Sequence, residues 1–237
     1  MKDLKTEEKK YEQLRKLGQE LHIPIPEAFW ELEVTDKDGK VIQQLKQRSH
    51  SWVRNAYNLL LSEMAGKNLD DATFGAGLLS IKDTGGVIRD TNAGACIAHT
   101  LGDFEQSGRA YRAAAADNTH GIQVGSGTNA ESFEDYVLQT LIAEGTAAGQ
   151  LNHATQSVAT KSYNAGTKVY TITHVRYLNN NSAGNVSINE VALTTYGYVF
   201  NGAYKWLNSR DKLGATITIP ATGQLKCTYT LSLAYPA

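Results

Sequence analysis

Apolar positions along the chain fall into two periods. A three-to-four-residue spacing runs through the first 22 residues and again near residue 55, and a two-residue alternation dominates from residue 121 onward. Residues 1–22 carry charges of both signs, with Leu4, Tyr11, Leu14, Leu17 and Leu21 three, four or seven apart. This spacing predicts a helix with a narrow apolar stripe, marginal by itself. Pro24 and Pro26 push their predecessors into extended geometry, so the helix stops and a stiff arm, HIPIPEAFW, begins. An arm of this kind needs a surface, either its own domain or a neighbouring subunit.

ELEVTDKDGKVIQQL reads as two short strands about the turn at Asp36 to Gly39, whose glycine accepts positive φ. SHSWVRNAYNLLLSEMAG reads as the strongest helix, with Ser49 or Ser51 as cap, Trp52, Ala56, Leu60 and Met64 every four residues, and Gly66 as stop. It is expected to cover one face of a sheet. TKVYTITHVRYL, VSINEVALTTY, GATITIP and QLKCTYTLSL are β-branched and aromatic segments separated by turn residues. In the last, Leu225, Cys227, Tyr229, Leu231 and Leu233 share one face, and Lys226, Thr228, Thr230 and Ser232 the other.

Strands repeated without long helices between them predict a mainly β protein. The expected form is an antiparallel β-sandwich or jelly-roll-like domain with one packed helix and an N-terminal helix plus extended arm. The predicted boundaries are residues 1–30 for helix and arm and 31–237 for the β-sandwich domain. A loop-rich insertion at about 67–120 holds one hairpin, LLSIKDTGGVIRDT, around Gly85 and Gly86.

With 237 residues, 41% hydrophobic and 20% charged, the chain has material for a sizeable core. A net charge of -1 supplies no field to gather nucleic acid or an anionic membrane, so neither is an expected partner. MKDLKTEEKKYEQLRK lacks the apolar core of a signal peptide and no run of 18 apolar residues occurs, which predicts a soluble, unprocessed product. Cys96 and Cys227 allow one internal bridge at most, and a reducing compartment is the default.

Candidate chemistry is sparse. In GIQVGSGTNAESFEDY, Gly125, Gly127 and Ala130 match the spacing of a dinucleotide loop, G-x-G-x-x-A. That loop needs a helix after it and a parallel βαβ unit around it. Here Glu131, Glu134 and Asp135 follow, and from Ala113 to Thr160 five acids face no lysine or arginine. Such a field repels a pyrophosphate, so the glycines read as a structural turn and no cofactor is expected. Asp36-Lys37-Asp38-Gly39 opens like a calcium loop, but Lys40 and Gln47 stand where ligands belong, so it reads as a hairpin turn. The six histidines lack zinc-site spacing, and no G-x-S-x-G elbow exists, so no metal or catalytic residue is assigned. Cys227, on an apolar strand face, reads as a small hydrophobe. Glu190 interrupts the apolar VSINEVAL, and Arg210-Asp211 breaks WLNSRDKL. Either these positions are solvated, or Glu190 and Arg210 form a structural charge pair that fixes strand register.

Taken in order, several short motifs carry a resemblance. They are Asp38 to Lys40, Ser49 to Asn55 (SHSWVRN), Ile122 to Thr128, Glu134 to Leu138, Gly145 to Leu151, Asn189 to Leu193 (NEVAL), Arg210-Asp211 and Thr228 to Ser232 (TYTLS). Over most of residues 31 to 233 the chain resembles a loosely defined group of structural proteins of tailed bacteriophages. The resemblance implies a virion component without an active site, made in the host cytoplasm: capsid decoration, or a head, neck or tail accessory protein. Its partners would be copies of itself and other virion proteins. The N-terminal arm would then be the assembly anchor, with Ile23, Ile25, Phe29 and Trp30 as apolar contacts. The alternative is a phage tail or surface module that binds host carbohydrate through Tyr196, Tyr198, Tyr204 and Trp206. A hydrolase with a scattered site finds no supporting motif.

Overall fold

The computed structural model describes residues 4–65, 79–89, 106–199 and 202–235. The first helix, α1 (Leu4–Glu20), ends where its periodicity ends: the Ile23 amide returns to the Gly18 carbonyl at 2.8 Å and His22 takes a φ of 58°. Strand β1 (Ile25–Thr35) follows, then the Asp36 to Gly39 turn and β2 (Val41–Ser49). Asp36 Oδ1 accepts the amides of Asp38 and Lys40, each at 2.9 Å, and Gly39 sits at φ 78°, so the acidic residues serve the hairpin turn.

Of the two surfaces open to the extended segment, it takes its own domain, and there it is a strand. Residues 25–30 are the first half of β1, an interior strand bonded to β2 on one edge and to β11 (Gln224–Ala234) on the other. The expected boundary between residues 30 and 31 therefore falls inside one strand. The reason lies in the alternation: Ala28, Trp30, Leu32 and Val34 all face the core. Pro26 sits near the strand start, where a missing N–H costs little.

The remaining strands are β3 (Ile81–Lys82), β4 (Ile88–Arg89), β5 (Gly121–Gly125), β6 (Asn152–His153), β7 (Thr160–Asn164), β8 (Val169–Asn179), β9 (Val186–Val199) and β10 (Gly202–Ile219). One sheet runs β2-β1-β11-β8-β6, with β7 also on β8; the second runs β10-β9-β5. The strands pair antiparallel throughout both sheets. A single core joins them, with Trp30, Leu32, Leu178, Leu225 and Cys227 from the first sheet against Ile122, Val124, Ile188, Val191 and Ile217 from the second. The molecule is a mainly β, antiparallel sandwich.

GATITIP does not stand as its own strand. It is the second half of β10, an 18-residue strand whose register slips between Leu207 and Ser209 and again between Lys212 and Ile217. These bulges bend one strand around the sandwich. At the second slip, two glutamines of β2 replace strand pairing. The Gln43 side chain bonds the Thr216 carbonyl and the Thr218 amide, and Gln47 bonds the Lys212 carbonyl and the Gly214 amide, at 2.9–3.1 Å. Side-chain amides thus close the gap between the two sheets.

The second helix, α2 (Arg54–Ala65), is where the expected orientation fails. Its buried positions are Asn55, Asn58 and Ser62, while Leu60 and Met64 face outward. Asn55 clamps both the amide and the carbonyl of Lys82, and Asn58 holds the Ser80 carbonyl. The groove beneath α2 offers backbone polar groups, so the polar stripe is the one that fits. Nor do the serines cap it: the Ser49 hydroxyl goes to Asp211, and the Arg54 amide goes to the Phe133 carbonyl. Within the expected insertion, the hairpin around Gly85 and Gly86 stands as β3–β4, closed by Asp83 on the Gly85 and Val87 amides. Gly66, Cys96 and most of that insertion lie outside the described residues.

Candidate functional site

The buried centre of the second sheet is a carboxylate. Glu190 on β9 sits opposite Lys212 on β10, on the face that points away from the main core. Its Oε2 accepts Arg210 Nε at 2.7 Å and the Gln139 amide at 3.1 Å, and its Oε1 accepts the amides of Gly127 at 3.1 Å and Thr140 at 2.8 Å. Neither Glu190 nor Arg210 is solvated, with side chains 0% and 2% exposed. Arg210 reaches further, to Asp135 Oδ2 at 2.7 Å and to the carbonyls of Asn129 and Ala130. Burial opposes its charge, but the bonds to Glu190 and Asp135 outweigh this and raise its pKa.

This explains the glycine loop. Gly125 and Gly127 have ordinary backbone angles, so no turn demands them. A Cβ at either position would come within 2.5 Å of Glu190 Oε1, and at Gly125 it would also meet the Thr140 carbonyl at 2.7 Å. The loop does hold an anion on a backbone amide, and the anion is the protein's own Glu190. Gly125→Ala or Gly127→Ala is expected to cost about 1–3 kcal/mol by overpacking. Thermal melts should show Tm falling by about 2–12 °C. A drop below about 1 °C for both variants would mean the carboxylate does not need that space.

Asp211, the next residue, faces the other way because strand neighbours alternate. Its Oδ2 accepts Trp30 Nε1 at 2.8 Å and the Ser49 hydroxyl at 2.7 Å, and its Oδ1 accepts the His50 amide at 3.1 Å. His50 Nδ1 lies 3.4 Å from the same oxygen, and the Asp211 carboxylate raises the His50 pKa. The chain from Ser51 to Val53 then runs along β10: the Arg210 amide bonds the Ser51 carbonyl and the Val53 amide bonds the Asn208 carbonyl. Trp52 Nε1 donates to the Tyr229 hydroxyl at 3.2 Å, and Tyr229 packs on Trp30 at 4.4 Å. Above this floor opens a cleft of about 630 Å³ lined by His50, Ser51, Trp52, Tyr57, Glu131, Ser132 and Phe133.

The structure does not unite the other residues singled out in the sequence. Of the assembly residues, Trp30 is fully buried and Ile25 pairs with Ala234 inside the sheet. Phe29 lies under the Arg48 guanidinium at 4.5 Å, and Arg48 is in turn stacked on Tyr11 of α1 at 3.8 Å. Only Ile23 is exposed. Arg48 and Arg15 both bind Glu27, and both reach Glu8, so α1 is docked on its own sheet by charge. Burial opposes ionisation of Glu27, but the bonds from Arg15 and Arg48 hold its pKa below the usual range.

The aromatics of YGYVFNGAYKW do not make one platform either. Tyr196 and Tyr198 pair with Lys205 and Ala203, whereas Tyr204 and Trp206 pair with Gly197 and Thr195, on the opposite face of the hairpin. Trp206 is fully buried against Ile81 and Val199, and Tyr204 lies under Arg89 at 3.9 Å.

Arg176 on β8 escaped the sequence reading. It is fully buried inside THVRYL, and its guanidinium bonds five backbone carbonyls: Ala114, Asp117, His120, Ile122 and Ala154. Burial pushes its pKa down to about 10, so it remains a cation at neutral pH. A lone charge in a strand that otherwise alternates was the available signal.

Chemically, this network holds loops in place. Glu190, Arg210 and Asp211 are saturated by protein partners, and burial pushes the Cys227 thiol up to about 12, where it carries no thiolate at neutral pH. Among the described residues no group of three or more His, Cys, Asp or Glu is arranged to hold a metal ion. Compared with protein-family models, curated proteins and solved structures, the chain matches none.

Proposed function

We propose that this chain is a structural component of a tailed-bacteriophage virion, acting through protein–protein contacts as a capsid decoration protein or a head, neck or tail accessory protein. The observation that carries this reading is the orientation of α1. The helix docks through Tyr11, Arg15 and Gly18 and turns Leu14 and Leu17 outward, 42% and 50% exposed, with Leu21 and Ile23 just past its end at 57% and 53%. Leucines displayed this way, flanked by exposed Lys10, Glu12, Lys16 and Glu20, suit an antiparallel partner helix from a second copy.

A second line of support is where the resemblance motifs meet. SHSWVRN, the Ile122 to Thr128 loop, Glu134 to Leu138, NEVAL and the Arg210-Asp211 pair lie far apart in sequence yet contribute to one connected bonding network. The anchor is therefore α1, rather than residues 23 to 30 as an arm. A truncation test should remove residues 1–20 and leave β1 intact.

Light scattering is expected to show an oligomer for the full chain and a monomer for the Leu14→Ser/Leu17→Ser/Leu21→Ser variant, at unchanged Tm. Equal masses for the two proteins would overturn assembly through α1. Mass spectrometry of purified particles is expected to find the chain at fixed copy number, and its absence from them would overturn the virion assignment.

A further inference from the structure

Three aromatic rings stand in a row along the cleft above Asp211. Trp52 and Tyr57 have ring centroids 6.2 Å apart, and Tyr57 and Phe133 5.9 Å apart. Tyr57 and Phe133 are 44% and 48% exposed, an unusual amount of open aromatic surface for side chains held this firmly. Each ring is set from behind. The indole N–H of Trp52 is tied to Tyr229, Tyr57 rides on α2, and Arg54 stacks on Phe133 at 4.9 Å while binding Glu134. The Phe133 carbonyl also accepts the Arg54 amide, which joins the two walls of the cleft.

Polar groups face the same space. His50 is oriented by Asp211, Ser132 receives the Glu134 amide on its hydroxyl oxygen and keeps its own proton to donate, and one Glu131 oxygen is taken by the Lys212 amide. The cleft volume of about 630 Å³ falls in the range of small-ligand sites.

We infer that this cleft is a binding site for a neutral saccharide, its C–H faces laid on the Trp52, Tyr57 and Phe133 rings and its hydroxyl groups met by His50, Ser132 and Glu131. The ring angles and the local charge select this class. Neighbouring rings are tilted by 52° and 41°, so they offer no parallel pair of walls to sandwich a flat base. A puckered, jointed chain of sugars follows such a twist. Glu131 in the lining disfavours phosphate, sulfate and sialic acid, and the Glu134 charge beside it is matched by Arg54, which leaves uncharged sugars. The site stands independently of the α1 contact, since the two share no residue, and a monomeric variant would still bind.

The test uses the full chain on an array of neutral, sialylated and sulfated oligosaccharides, including oligomers of glucose, galactose, mannose and N-acetylglucosamine. Signals confined to neutral members are expected. The best of them, titrated in solution, should shift the tryptophan emission, because Trp30 and Trp206 are fully buried and Trp52 is the ring that meets ligand. Tyr57→Ala/Phe133→Ala should weaken binding at least about tenfold at unchanged Tm. Trp52→Phe should abolish the emission shift. A blank array, signals from acidic glycans alone, or an affinity within about twofold in the double variant would each overturn the proposal.

Discussion

Replacing Glu190 by alanine is expected to destabilise the protein by about 3–5 kcal/mol, the cost of breaking a buried ion pair from one side. The variant takes the buried carboxylate from the Arg210 guanidinium, which is 2% exposed and keeps only Asp135 as an ionic partner, and it strands the amides of Gly127, Gln139 and Thr140. The damage should be local before it is global. Amide exchange at Gly127, Gln139 and Thr140 should quicken more than exchange in β1 or β11, because those three bonds tie the loop from Ser126 to Leu141 to the sheet.

Glu190→Gln distinguishes charge from shape. It keeps the volume but presents an NH2 to donors that need an acceptor, so it too should lose most of the stability. The pair is coupled. In a double-mutant cycle with Arg210→Met, the combined loss should fall short of the sum of the single losses by at least about 1 kcal/mol. Additive losses would mean that Glu190 and Arg210 act separately, and an alanine variant within about 1 kcal/mol of the parent would remove the network from the account of the fold.

Arg176→Ala is expected to cost a similar amount, about 3–5 kcal/mol, seen as a Tm lower by about 6–20 °C. Five carbonyls converge on this guanidinium from the segment between Ala114 and Ile122 and from Ala154. Arg176 is fully buried, so its truncation leaves these carbonyls facing the space the side chain vacates. Arg176→Lys should rescue little, because a compact ammonium has three donors and lacks the planar fork that spans these acceptors. Urea unfolding of the three proteins checks this. Recovery of most of the stability by lysine would show that charge, and not the fork, holds the loops.

The strands in TKVYTITHVRYL, VSINEVALTTY and QLKCTYTLSL were legible because alternation is a local property, and in the last the buried set Leu225, Cys227 and Tyr229 matches it residue by residue, whereas residues 202–213 of β10 were not legible as strand. The Asp36 to Gly39 turn and the β3–β4 hairpin were legible for the same reason, since their side-chain-to-amide bonds span four residues or fewer. Alternation also ran through Ala28, Trp30, Leu32 and Val34, but the two prolines ahead of it suggested an arm. The Glu190 and Arg210 pair could be suspected as charges inside apolar runs. Its loop partners, 50 or more residues away from Glu190, could not be.

Sequence alone determined the mainly β class, the two helices and the turns at Asp36 to Gly39 and around Gly85 and Gly86, because these follow from short-range periodicity and backbone preference. Tertiary structure decided which face each helix hides and what each charge touches. The spacing of Leu60 and Met64 is helical whichever way α2 rolls, and only a groove lined by the Lys82 and Ser80 backbones turns Asn55 and Asn58 inward. Likewise Gly125 and Gly127 read only as a structural turn until the Glu190 carboxylate is found against them, for a close approach between distant segments leaves no periodic trace in the chain.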